Sequence, residues 1–415
     1  MSVRFVSLIL CGLVVSACGE PAKGPEAITP PHRSTWVSGE KIDLRSVTMA
    51  VKARPTATLS ELFEGLAERS DAPHASLYRG TAAGGFGSGF ALVRRTGNSI
   101  DPMVITNRHV IASADMTQIE DDAGKKKGAA RVYYEDFVYD LAILKFEEEA
   151  PFSSGVAFEP NPAKDRQEVI ATGFPGIGSI PSYQTTKGYV SNERFTLSSK
   201  GSDALPNIQH TAPIDPGSSG GPLTTERGTL LGVNTFKVFG REGVAFAIPA
   251  AAIPEVVARA DKAHTCHKDI ACRKKAIAAA CTATFLRFAT HSDSVENAGL
   301  YVSSRFLAKY GVSSLRWADT QDDEASELAE EDPIAAIRMA AVQRLGAEFR
   351  GADATSFCTS PLPEDWENLA TVDAVRFQLP GGQVASFLWE HGHYKLSDVD
   401  FVRTRPKPPP KKRHR

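Results

Sequence analysis

Past the N-terminal segment the sequence has no apolar run approaching the roughly 18 to 20 residues of a spanning helix, which excludes a polytopic membrane protein. It has no charge excess either. Forty-seven Lys and Arg against forty-nine Asp and Glu leave a net charge of −2, which argues against a dedicated nucleic-acid binder. Compositional bias is missing too: 42% apolar, 8% aromatic and 23% charged residues exclude disorder, collagen and coiled coil as descriptions of the whole chain. Paired Cys-x-x-Cys ligands are also lacking. His264, Cys266, His267, Cys272 and Cys281 crowd together, but their spacing fits no zinc pattern, so neither a metal nor a cofactor is expected.

What is present is length for two or three domains, at 415 residues. Arg4 precedes an apolar stretch from Phe5 to Val15, and Ser16-Ala17-Cys18 follows with small residues before a cut. That pattern reads as a secretory signal over 1–17. Val15-Ser16-Ala17-Cys18 resembles a bacterial lipobox, which makes Cys18 the expected lipidation site and membrane anchor. Pro21, Pro25, Pro30 and Pro31 mark an extended tether within 18–58. Beyond the inner membrane the compartment is oxidising. Cys266, Cys272, Cys281 and Cys358 are therefore expected to form two disulfides, with three connectivities open.

A short helical pattern at Leu62, Phe63 and Leu66 precedes an expected strand near Ala75 to Tyr78 and a glycine-rich stretch from Gly80 to Gly89. Short strands then dominate to about Pro249, among them Met103 to Thr106, Leu141 to Phe146, Glu168 to Thr172 and Thr229 to Thr235. Many short strands without long intervening helices indicate a β-barrel or sandwich. Ala250 to Ala263 resumes helical spacing. Three helices follow, at Asp269 to Thr290, Val295 to Tyr310 with a stop at Gly311, and one opened by Asp332 and Pro333. Strands at Ala374 to Leu379, Val384 to Trp389 and Tyr394 to Phe401 complete a second, α+β domain. The last thirteen residues, 403–415, hold seven Lys or Arg, four prolines and no acid.

Pro216-Gly217-Ser218-Ser219-Gly220-Gly221-Pro222 is the strongest chemical signal. A nucleophilic serine needs a sharply turned backbone that exposes its hydroxyl and gathers amides where an oxyanion forms, which is why glycines flank it. Alone, such a cluster is usually only a turn. Upstream, however, His109 follows the β-branched run Val104-Ile105-Thr106, and Asp140 opens the strand Leu141 to Leu144.

With Gly87-Ser88-Gly89-Phe90, Gly173-Phe174-Pro175, Gly188 to Ser191, Gly232 to Thr235 and Gly243 to Pro249, the order histidine, aspartate, serine resembles the trypsin-like serine proteases. The branch it most resembles is the HtrA or Deg group of the bacterial envelope. The matches cover about 60–255. The resemblance implies an all-β pair of six-stranded antiparallel barrels followed by the smaller α+β domain. His109 would be the general base, Asp140 its orienting acid and Ser219 the nucleophile, with amides of Gly217, Ser218 and Ser219 as the oxyanion hole. Pro213, Ile214 and Val244 would line the pocket for the side chain before the scissile bond. Asn234, Thr235 and Phe236 would pair with the substrate backbone.

No acidic residue stands at the base of that pocket, where Pro213 falls, so aliphatic side chains are expected there. Asp215 replaces an asparagine common in the family. Ser218 stands where trypsin-like enzymes carry an aspartate, and no Ile-Val-Gly-Gly start exists, so activation by a new N-terminal ion pair is not expected. Residues 262–402 lack the glycine-rich loop of a PDZ domain. The expected organisation is signal 1–17, tether 18–58, protease 59–261, α+β domain 262–402 and basic tail 403–415. Expected partners are protein or peptide substrates and the membrane, not nucleic acid. The alternative is a catalytically silent scaffold of the same fold that binds peptides.

Overall fold

The computed structural model describes residues 36–38, 43–97, 99–111, 114–177, 180–196, 206–238, 241–290, 300–319, 332–349, 358–359, 361–379 and 382–399. All belong to one compact unit, Pro31–Arg415. The expected signal, Cys18, the parts of the tether other than 36–38 and 43–58, and the basic tail lie outside the described residues.

The helical turn α1 (Leu44–Val47) leads into the first barrel. That barrel contains β1 (Thr48–Ala53), β2 (Gly85–Thr96), β3 (Ser99–Asn107), β4 (Met116–Glu120), β5 (Lys126–Asp136) and β6 (Leu141–Phe146), closed in the order β1-β2-β3-β6-β5-β4. The second contains β7 (Glu168–Gly173), β10 (Gln184–Phe195), β11 (Asn207–His210), β12 (Pro222–Thr224), β13 (Leu230–Lys237) and β14 (Ala245–Pro249), in the order β10-β11-β14-β13-β12-β7. A small hairpin, β8 (Gly176–Ile177) with β9 (Ile180–Pro181), sits between β7 and β10. The two six-stranded antiparallel barrels of the expectation are present.

The apolar runs of β3 and β6 are continuous because both faces of these strands are covered. Val104 and Leu144 pack with Val51, Ala91 and Ile119 in one core. Ile105 and Ile143 point the other way, against Val233, Ile248 and the helix α5 (Ala252–Lys268) through Ile253, Val256 and Val257. Each fully buried aliphatic side chain contributes about 1.5 to 3 kcal/mol, so this shared layer fastens α5 to the barrels.

The second domain holds α6 (Ile270–Thr290), α7 (Ser304–Asp319), α8 (Pro333–Glu348), α9 (Pro363–Glu367) and a three-stranded sheet, β15 (Ala374–Gln378), β16 (Val384–Glu390) and β17 (His393–Val399). Its core joins Phe285, Phe306, Ile337, Leu345, Phe377 and Phe387. Asp332 caps α8 as expected, its side chain accepting from Ala335 N at 3.0 Å. Disulfides pair Cys266 with Cys272 and Cys281 with Cys358.

Four expectations are corrected. The supposed tether contains β1, a barrel strand with five of six residues buried. The expected strand at 75–78 is instead part of the helix α3 (Ala72–Ala83), which starts at Asp71 with Pro73 in its first turn. With α2 (Ala57–Ala67), α3 forms a hairpin inserted between β1 and β2. Leu59, Phe63 and Ala82 of that hairpin join the second domain's core, so the boundary drawn at residue 59 cuts across both domains. Finally, α7 runs through Gly311, because that glycine serves a close helix crossing: a Cβ there would meet Ile337 at 3.2 Å.

Candidate active site

β3 ends at Asn107, and the helical turn α4 (Arg108–Ile111) then presents His109. Asp140 comes from the turn that follows β5. Asp136 Oδ1 accepts the amides of Val138 (3.1 Å) and Tyr139 (2.9 Å), which folds the chain back, and Asp140 itself adopts φ 54°. Its carbonyl then accepts Arg108 N at 2.9 Å and Asn107 Nδ2 at 3.1 Å, tying the two segments together. The side chains meet accordingly. Asp140 Oδ1 accepts His109 N at 3.0 Å, and Oδ2 bonds His109 Nδ1 at 2.7 Å. This leaves Nε2 toward the cleft, and the His109 side chain is 45% exposed.

Burial alone would raise the Asp140 pKa, but the charge and hydrogen bonds of His109, with Arg108, outweigh it and hold the carboxyl below its ordinary value. Burial likewise opposes the imidazolium of His109. Asp140 overrides it and raises the His109 pKa.

Ser219 sits beyond a β-turn. Ser218 N donates to Asp215 O at 2.8 Å, with Pro216 and Gly217 at the corner and Gly217 at φ 101°, the type II arrangement that needs glycine third. Gly220 (φ 86°) presses so closely on β2 that a Cβ would lie 2.1 Å from Ser88 O. Ser88 fastens the loop: its N donates to Ser219 O (2.8 Å), its Oγ donates to Gly217 O (2.6 Å), and that Oγ accepts Phe174 N (2.8 Å). Among the described residues, the amides of Gly217 and Ser219 have no acceptor. The Ser219 hydroxyl donates to Thr235 O at 2.6 Å, while Thr235 Oγ1 donates to Asp140 Oδ2 at 3.4 Å. Thr235 thus joins Ser219 to the His109–Asp140 pair.

Two site expectations change. The Ser218 amide is committed to Asp215 O and is not an oxyanion donor. Asn234 cannot pair with substrate, because its N donates to Gly221 O (2.9 Å), its O accepts Gly220 N (2.9 Å), and its side chain is fully buried. Pro213 and Ile214 line a cavity of about 10 Å³ behind the nucleophile loop, with Thr172 and Ser218. Val244 is bonded through its carbonyl to Val238 N (3.1 Å), and Phe236 stacks on Phe246 with centroids 4.6 Å apart. Sequence reasoning missed three contributions: the double role of Thr235, the loop fastening by Ser88, and Lys237, whose Nζ lies 2.5 Å from Asp215 Oδ1 and neutralises it. The motif Gly87-Ser88-Gly89-Phe90 was the available signal for the second.

Residues 87–233 match the trypsin-like peptidase domain family. The chain is 31% identical over 177 residues to the serine protease Do-like HtrA of Lactobacillus helveticus, covering 41% of this chain and 42% of that protein. It is 34% identical over 177 residues to the probable periplasmic serine endoprotease DegP-like of Bartonella henselae, covering 41% of this chain and 32% of that one. The serine endoprotease structure from Yersinia pestis aligns at TM-score 0.37 and 23% identity, over 52% of this chain and 63% of that chain. The chain therefore carries a trypsin-like peptidase domain with HtrA- and DegP-type relatives. It spans less than half the length of those two curated relatives.

Proposed function

We propose that the protein is a serine endopeptidase of the bacterial cell envelope that cleaves protein substrates through an acyl-enzyme. The observation that chiefly supports this is the chain of bonds His109–Asp140–Thr235–Ser219 beside two amides with no acceptor. Ser219 Oγ turns from Thr235 O to His109 Nε2, gives up its proton there and attacks the substrate carbonyl. The oxyanion receives Gly217 N and Ser219 N, each such donor being worth about 3 to 4 kcal/mol in the transition state. His109 then protonates the leaving amine as the C–N bond breaks, and water resolves the ester by the same steps reversed. Asp140, already ionised, stabilises the imidazolium throughout.

Pro213, Ile214 and Val244 suit an aliphatic residue before the cut, and Thr235 and Phe236 offer the edge for the preceding residues. Two disulfides suit an oxidising compartment, and Cys18 would carry the lipid that retains the protein there. Labelled palmitate should mark wild type and not Cys18→Ala; label on the variant overturns the anchor.

A peptide-docking scaffold without catalysis is favoured by one observation, the Ser219 hydroxyl resting on Thr235 O. A fluorophosphonate probe separates the two. Labelling of wild type but not of Ser219→Ala is expected; folded wild type that resists the probe leaves the scaffold.

A further inference from the structure

A hollow of about 340 Å³ opens where β2 begins. Its walls come from three parts of the molecule: Ala53 at the end of β1 with Pro55 beyond it and Gly85 at the start of β2, Leu77 and Gly80 of the inserted helix α3, and Ile334 at the start of α8. None of its lining residues is charged. An apolar side chain is what such walls accept.

The hollow and the candidate active site share β2, which reaches the first at Gly85 and the second at Gly87. A Cβ on Gly87 would sit 3.0 Å from the carbonyl oxygen of Ser219, and one on Gly217 would meet the Phe86 ring at 2.8 Å. Strands rise about 3.3 Å per residue, so Gly85 lies roughly 7 Å along the strand from the contact with Ser219. The edge between them is open. β3 pairs with β2 only from Phe90 onward, and Ser88 aims its N–H away from β1, at Ser219 O. Alternate residues of a strand direct their main-chain groups to the same edge, so Phe86 N–H and C=O face the cleft, where no described group meets them.

Ser219 therefore lies between two strands that can receive a polypeptide, β13 at Phe236 and β2 at Phe86. A chain seated on β13 up to the scissile bond leaves along β2 toward the hollow. We propose that the hollow is a substrate subsite that takes an aliphatic or aromatic side chain roughly three or four residues beyond the scissile bond, while the intervening main chain pairs with Phe86 as an added strand. This rests on the peptidase reading. It adds that the inserted helices and the second domain select the segment after the cut.

The test uses four substrates with the same residues before the bond: a short ester with none after it, and a decapeptide with Leu, Asp or Lys at the third and fourth positions beyond it. Wild type is expected to favour Leu over Asp by about tenfold or more in kcat/KM. In Gly80→Phe the new Cβ meets nothing within 4 Å, so the ring can fill the hollow without moving the backbone. The Leu preference should then fall to within about twofold. Leu77→Asp should turn the preference from Leu to Lys at those positions, which a folding defect does not do. Equal cleavage of the Leu and Asp peptides by wild type, or a preference that survives both variants, overturns the subsite. If the ester is not hydrolysed and Ser219 resists the fluorophosphonate, the peptidase reading falls and the subsite with it.

Discussion

Lys395, in the sheet of the second domain, forms an ion pair with Glu135, the residue before the turn that carries Asp140, and their side chains are only 3% and 7% exposed. The contact is reinforced on both sides. Glu135 N donates to His391 O at 3.2 Å, its carbonyl bonds His393 Nε2 at 2.7 Å, and Arg259 of α5 holds Asp136 at 2.7 Å. The second domain thus encloses the start of the turn that carries Asp140.

Lys395→Met takes the lysine charge from a buried carboxylate and leaves it only the His391 imidazolium, a loss of up to about 3 kcal/mol, whereas replacing both members of such a pair is far milder. Lys395→Met is therefore expected to lower the unfolding midpoint strongly and to slow fluorophosphonate labelling of Ser219. Lys395→Met with Glu135→Gln should recover most of the midpoint. A single variant as stable and as reactive as wild type removes the pair from the account.

His391 makes this contact sensitive to alkali. Burial would lower its pKa, but hydrogen bonds to Asp115 and Glu135 prevail over burial and over the Lys395 charge and push it up to about 9, from 6.5. Protonated His391 thus stabilises the fold fully below about pH 6.5, and the contribution is lost as pH rises through about 9. At 1.36 kcal/mol per unit the full loss is about 3 kcal/mol. Glu135 lies well below its ordinary value and stays ionised across this window. Melting curves between pH 6 and pH 9.5 should show the decline in wild type and a flatter profile in His391→Gln; parallel profiles exclude the imidazole as the cause.

Ser88 offers a sharper handle on the proposed catalysis than His109, Asp140 or Ser219 does. Ser88→Ala leaves Phe174 N–H and Gly217 C=O without their shared partner, at about 1 to 3 kcal/mol for a buried unsatisfied group. The loop that holds the Gly217 and Ser219 amides loosens while His109 and Asp140 stay in place. Steady-state kinetics on the short ester should show kcat reduced by roughly 10- to 100-fold with KM little changed. An unchanged kcat means that Asn234 alone is enough to shape the loop.

The barrels and the segments carrying His109, Asp140 and Ser219 were legible for one reason: each depends on local signals repeated in a fixed order. Val104 to Thr106 before His109, and Gly217 to Gly221 around Ser219, are short strings whose chemistry is local. β1 was not legible, because burial on both faces erases the alternation by which Met49 to Ala53 would declare a strand. The second core was hidden for a different reason. Phe63 packs with Phe285 and Phe387 across most of the chain, and nothing near Phe63 announces those partners. Gly311 misled because a stop glycine and a crossing glycine look alike until the second helix is in place. Asn234 misled because its motif marks the right strand and cannot say which way the main chain spends its hydrogen bonds.

The two disulfides should differ in value because they close loops of different length. Cys266 and Cys272 are 6 residues apart, and Cys281 and Cys358 are 77 apart. In the chain-entropy model these loops correspond to roughly 2.4 and roughly 4.5 kcal/mol. The longer link also joins two fully buried sulfurs in the second core, so its loss disturbs packing as well. Non-reducing digestion followed by mass mapping should find these two pairs and no others. Cys281→Ala with Cys358→Ala should then lower the unfolding midpoint well beyond Cys266→Ala with Cys272→Ala. Core loosening of that kind reaches α8 and the inserted helices, so the first double variant should also be cut faster by an added protease between α2 and α3. Equal effects from the two double variants would show that the long loop is already restrained in the unfolded chain.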